Sequence, residues 1–196
     1  RSGEVQLLLY SIFRIGNATA NVDWSAYQRW KADPRVAWTV PLSLGDSHQG
    51  FRVLGTTREY FEHYRYGRKQ PLALVSGSPF TEPLHAVLGA DVAETLGYKL
   101  GDKIALAHGT GSIGQIEHSE HPFEVVGILA RTGTPVDTTV HVSLQGLELV
   151  HIGWEDGRPP NAIDQLTQRP RRGSDNEQSL TPKSITAFIL GVNSKM

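Results

Sequence analysis

Leu42-Ser43-Leu44-Gly45-Asp46-Ser47-His48 sets a serine between an aspartate and a histidine, directly after an alternating apolar run. A serine so placed could attack an ester carbon, provided a base takes its proton. The plainer reading of Gly45 to Gly50 is a polar turn between two strands. Gly109-Thr110-Gly111-Ser112-Ile113-Gly114 fits G-x-G-x-x-G, a spacing that cradles pyrophosphate only where the glycines open a helix. Here only Gln115 to His121 separate it from Pro122 and an apolar run, so it reads as a hairpin loop. The chain has no Gly-Lys-Ser/Thr phosphate loop, and ATP is not expected to bind in that manner. His108, His118 and His121 lie on or beside the same loop with Glu117 and Glu120, a donor set that could take zinc weakly or simply be solvated. His118-x-x-His121 suits one helical turn but is no zinc signature. Arg169, Arg171 and Arg172 could meet phosphates or lipid headgroups, or lie in solvent. Asn17-Ala18-Thr19 is a glycosylation sequon only in a source that glycosylates. No residue is assigned a catalytic or cofactor-binding role.

Composition bounds what these residues could serve. The chain has 196 residues, 39% apolar and 20% charged, with a formal net charge of −1. That is ordinary for a globular chain able to bury one good core or two small ones, and it favours neither nucleic acid nor an anionic surface. Absence of cysteine removes disulfides, thiolate metal sites and cysteine nucleophiles together. The apolar run Leu7-Leu8-Leu9-Tyr10, continued by Ile12 and Phe13, is far short of the roughly 20 residues a spanning helix needs. Glu4 before it and Arg14 after it do not suit a signal peptide. A start at Arg1 instead of methionine suggests a segment of a longer protein.

The elements that must hold these residues follow from patterning. Residues 5 to 13 are apolar on both alternations and read as a strand covered on both faces. Asp23 can cap a helix bearing Trp24, Tyr27 and Trp30 that ends before Pro34. Val36, Trp38, Val40, Leu42 and Leu44 alternate as a strand, with Pro41 marking an edge or bulge. After a loop, residues 51 to 54 return, completing a β-α-β-β unit. Tyr60, Phe61, Tyr64 and Tyr66 suggest an amphipathic turn. A strand at 85–88, a helix at 90–96 closed by Gly97, and strands near 103–108 and 122–130 come next. Val140 and Val142 mark a further strand, and Ser143 can cap a helix carrying Leu144, Leu147 and Val150. Residues 155 to 183, rich in proline and poor in large apolar residues, read as a long loop or a disordered insertion. Residues 185 to 192 form the last strand. Trp24, Trp30 and Trp38 serve packing, or line a groove.

The series Leu88-Gly89-Ala90-Asp91-Val92-Ala93-Glu94-Thr95-Leu96-Gly97, Leu100-Gly101-Asp102-Lys103-Ile104 and Pro122 to Leu129, with Val53-Leu54-Gly55-Thr56-Thr57 and Thr132-Gly133-Thr134-Pro135-Val136-Asp137, resembles the periplasmic domain of MacB/FtsX-type ABC-transporter permeases. The resemblance spans roughly residues 35 to 152. It implies an α+β fold in which residues 1–66 and 136–196 build an outer porter-like mixed-sheet domain around an inserted β-rich, sabre-like domain at 67–135. It also implies a non-catalytic part on the periplasmic side of the bacterial inner membrane, flanked by membrane-spanning helices and working as a permease dimer. ATP would be hydrolysed by a separate cytoplasmic ATP-binding subunit, and the resulting motion passed to the periplasm. An adaptor, lipoprotein, substrate-binding protein or substrate would dock on the domain. Two other readings stand beside it. One is a secreted hydrolase, since Gly45 to His48 is similar to the block of SGNH/GDSL enzymes, with Ser47 as nucleophile and His48 or a distant histidine as base. Those enzymes usually carry Asp-x-x-His near the C-terminus, and none of the nine aspartates here has histidine three residues on. The other is a zinc-handling module of the same transporter type.

Overall fold

A computed structural model describes residues 4–13, 21–108, 121–151 and 180–193. The chain opens with α1 (Glu4–Ser11), where both-sided apolar patterning had suggested a strand. A short apolar run fits either element by periodicity, and Leu7-Leu8-Leu9, with no branching at Cβ, tips the balance to helix. The expected β-α-β-β unit therefore begins with a helix. β1 (Val22–Asp23) leads into α2 (Trp24–Lys31), which starts after Asp23, although the Asp23 side chain makes no capping bond. β2 (Val36–His48) then runs through the segment expected to be a loop. Only Gln49 and Gly50 turn the chain, with φ of 48° and 85°, the double left-handed geometry of a tight hairpin. β3 (Phe51–Thr56) returns alongside it.

The middle of the chain carries α3 (Glu59–His63), the small hairpin β4 (Arg65–Tyr66) and β5 (Gln70–Pro71), then β6 (Leu74–Gly77) and β7 (His85–Leu88). α4 (Ala90–Leu96) ends at Gly97, whose φ of 71° supplies the left-handed residue that the stop requires. β8 (Lys103–Ile104), β9 (Ala107–His108) and β10 (Phe123–Leu129) follow. β11 (Thr139–Ser143) passes straight into α5 (Leu144–His151), where Gly146 N donates to Ser143 Oγ at 2.8 Å, the cap expected of that serine. β12 (Ser184–Ile185) pairs with β1, and β13 (Ala187–Val192) closes the described chain.

One mixed sheet dominates, in the order β13-β2-β3-β11-β7-β10-β6, with β8 on β10 and β9 on β2. β3–β11 and β7–β10 are parallel, and the other pairings are antiparallel. Alternation sorts the side chains onto two faces. Val53, Ala86, Leu88, Val140 and Val142 face Val92 of α4 and Leu147 and Val150 of α5. Leu54, Val87 and Leu129 face Tyr60, Phe61 and Phe80 on the other side. Every residue of β11 is buried, as a strand covered on both faces must be. The chain is thus α+β about a mixed sheet, as expected. The sheet takes β2, β3, β11 and β13 from the outer segments and β6 to β10 from residues 67–135, which meet at the β11–β7 and β2–β9 ladders.

Candidate functional site

The serine chemistry foreseen at residues 46–48 is closed off by burial. Ser47 is 0% exposed in the middle of a ladder, paired with Ala107 on one side and Arg52 on the other. Its Oγ donates to Ala107 O at 3.5 Å. The neighbouring imidazole is committed elsewhere: His48 Nδ1 lies 2.6 Å from Ala105 O and Nε2 lies 2.9 Å from Tyr98 Oη. Adjacent strand residues point to opposite faces, so His48 is aimed away from Ser47 by geometry alone. A nucleophile without access to substrate performs no acyl transfer, and the hydrolase reading loses its footing.

Asp46 has a partner that its sequence position does not reveal. His151, in the last turn of α5, sets Nε2 at 3.4 Å from Asp46 Oδ2. Burial opposes the charged imidazole, but the Asp46 carboxylate and the nearby Glu148 outweigh it and hold the His151 pKa above the ordinary histidine value. The negative end of the helix favours the same proton. Glu148 itself is pushed up by burial, with Asp46 adding to the shift and His151 and Lys183 opposing it.

The residues of the Leu88-Gly89-Ala90-Asp91 and Thr132 to Asp137 segments come together as one clamp. Asp137, 2% exposed, accepts from Thr132 N at 2.8 Å, Gly133 N at 2.7 Å and Thr132 Oγ1 at 2.9 Å, which winds the loop around its carboxylate. Gly133 takes φ of 70° inside that winding. The Asp137 carbonyl then receives Asp91 N at 2.9 Å and Val92 N at 3.2 Å, the orphan donors at the start of α4. Gly89 N donates to Thr139 O at 2.9 Å. Arg131 ties the outside of the clamp, pairing with Asp91 and, at 2.6 Å, with Glu94. Arg131 and Glu94 are exposed and Asp91 is half-buried, so the pairs set geometry more than stability.

Beside the clamp lies an open cleft of about 760 Å³. Phe13, Phe51, Arg52, Arg131, Thr134 and Pro135 contribute to its walls. The Arg52 guanidinium sits 5.7 Å from the centre of the Tyr10 ring. Aromatic faces beside guanidinium groups and hydroxyls can hold a ligand or partner side chain. Of the zinc candidates, His118 falls outside the described residues, His108 lies in β9 and His121 is exposed before β10. Among the described residues no three His, Asp or Glu side chains gather as a metal site. The sequence reading had not singled out His151 or Arg131 as site residues, because their partners lie far away along the chain and no local motif marks them.

The described residues thus build an α+β domain about one mixed sheet, with a clamped loop–helix junction beside an open cleft. Residues 5–179 match the family model of the MacB-like periplasmic core domain, and the chain belongs to that family. It is an extracytoplasmic domain of a MacB-like ABC-transporter permease. The periplasmic region of MacB from Actinobacillus actinomycetemcomitans shares the fold, with a TM-score of 0.50 at 12% identity, over 93% of this chain and 70% of that one. The extracellular domain of the noncanonic ABC-type transporter YknZ from Gram-positive bacteria aligns with a TM-score of 0.45 at 14% identity, over 92% of this chain and 93% of that one. No curated protein sequence matches the chain. Among the described residues no helix is long and apolar enough to cross a membrane.

Proposed function

We propose that this domain carries ATP-driven motion of its permease into the extracytoplasmic space and docks a substrate or partner protein there, without breaking bonds itself. Family membership supports a cytoplasmic ATP-binding subunit as the motor, bilayer-spanning helices flanking the domain, and a permease dimer as the moving unit. The partner would be a periplasmic adaptor, a lipoprotein or a substrate-binding protein, and the cleft beside the clamp is the docking position. Residues 67–135 act as the sabre-like lobe and residues 1–66 with 136–196 as the porter-like one. The observation that carries the reading is the series of paired strands from β13 to β6, in which the long strand β2 holds β13 along residues 36–42 and β3 along residues 43–48. Paired strands with a close-packed core on both faces resist compression and so pass a displacement along the series.

This domain has no cysteine of its own, so within it spin labels go only where cysteine is introduced. Val75 in β6 and Val192 in β13 are exposed and stand on opposite edges of the sheet. In the full-length permease, dipolar spectroscopy should find the Val75–Val192 distance within one protomer unchanged by a non-hydrolysable ATP analogue. The Val75–Val75 distance between protomers should change. A constant distance between protomers would sink the motion reading, and a variable distance within one would sink the rigid path.

A further inference from the structure

We propose that the corner formed by the β4–β5 hairpin and the end of α2 rests on the anionic phospholipid headgroups of the bilayer that holds the permease. Segments 29–35 and 58–69 carry seven cations against three carboxylates, a net charge of +4 in a chain whose formal total is −1. No acidic residue occurs between Glu62 and Glu82. The structure brings the two segments together. Lys31, in the last turn of α2, is close enough to Glu59 at the start of α3 to help hold its carboxyl below the usual range against burial. The His63 ring, at the end of α3, stacks on Trp38 of β2 at 4.3 Å, and Trp38 is the register partner of Gly191 in β13. Asn193, just past β13, donates its backbone N–H to Arg35 O at 2.9 Å and its side chain to Pro34 O at 2.8 Å.

The hairpin is fixed at its base and open at its tip. Arg65 Nη1 donates to Glu62 O at 2.7 Å and to Tyr64 O at 2.8 Å, and Tyr64 stacks on Tyr60 at 4.8 Å. Gly67 and Lys69 both take left-handed backbone, φ 51° and 62°, a conformation seldom adopted by lysine. Among the described residues Arg68 and Lys69 have no hydrogen-bond or ion-pair partner, in contrast to Arg35 on Asp33 and Arg58 on Glu62. Large apolar side chains are exposed at the same corner: Trp30 at 48% and Val192 at 68%. Tryptophan next to lysine and arginine is the composition of a membrane–water interface. A convex tip this small offers too little area for a stable protein interface. It does suit a flat charged surface already held near it by the permease anchors.

The inference rests on the bilayer anchorage proposed above but not on motion or partner docking, so the spin-label experiment and this one fail independently. The 196-residue chain would be mixed with phosphatidylglycerol vesicles at millimolar lipid and low salt, then sedimented, with Trp fluorescence followed in parallel. A cation near an anionic surface favours binding about fivefold. The pair Arg68→Gln and Lys69→Gln should therefore weaken binding about 25-fold. Both positions are exposed and unpartnered, so the unfolding midpoint of the double variant should equal the parent's. Salt at 0.5 M should release the protein, and phosphatidylcholine vesicles should not bind it. Equal binding to neutral vesicles, no binding to anionic ones, or an unaffected double variant would overturn the proposal. Binding of a polyglutamate peptide without binding of vesicles would overturn it in favour of an acidic protein partner.

Discussion

Gly89→Ala probes the clamp by the smallest possible insertion. Gly89 has φ −66° and ψ 156°, which alanine adopts without strain, so backbone preference is not at issue. The obstacle is space: an added Cβ would stand 2.2 Å from Val136 O and 2.4 Å from Asp137 O. Both acceptors are main chain and cannot swing aside, and Asp137 O is the group holding Asp91 N and Val92 N. Relieving the clash must push the loop off the start of α4. Overpacking of this kind costs about 1–3 kcal/mol, and two weakened hydrogen bonds add about 1 kcal/mol each. Alanine's lower unfolded-state entropy returns about 0.4–1 kcal/mol. The net expectation is a loss of about 2–5 kcal/mol, read in urea as a midpoint lowered by about 1–2.5 M for a slope near 2 kcal/mol/M. Gly45→Ala is the control, since nothing lies within 4 Å of its added Cβ and its φ is outside the left-handed region. That variant should stay within about 0.5 kcal/mol of the parent. A Gly89→Ala protein with the parent midpoint, or a Gly45→Ala protein that falls equally far, would show the clamp reasoning to be wrong.

Two further outcomes follow from the buried groups around β2. The His151 pKa is raised above its unfolded value by Asp46 and Glu148, so the folded state holds that proton more tightly. The stabilisation is complete below about pH 6.5 and is lost as pH rises through the folded value. Asp46→Asn should flatten the fall in urea midpoint between pH 6 and pH 9, and the His151 ring protons should titrate at lower pH in that variant. A parent midpoint that climbs over the same interval would contradict the assignment. A fluorophosphonate probe should leave Ser47 unlabelled in the folded chain, since its hydroxyl is sealed inside the sheet. Stoichiometric labelling at Ser47, located by peptide mass, would reverse that reading.

Sequence alone was enough for most of the elements and for the family. Short-range signals survive in any tertiary context: Gly97 closes α4 because its left-handed backbone carries almost no steric cost, and Ser143 caps α5 because its hydroxyl reaches one turn ahead. The order of glycine turns and apolar strands from Val53 to Asp137 likewise carried the resemblance that the family match confirms. Other features depended on what packs against them. Residues 5 to 13 had no period to separate helix from strand, and Gly45-Asp46-Ser47-His48 looked like a turn until β9 and β3 paired with it on its two sides. Long-range partners were invisible from the chain. Asp46 meets His151, Arg131 meets Asp91, and Lys31 meets Glu59 only after the sheet and its helices are assembled. Side-chain type and spacing fix local backbone choices within a few residues, whereas burial and charge pairing are properties of surfaces that exist only once distant segments touch.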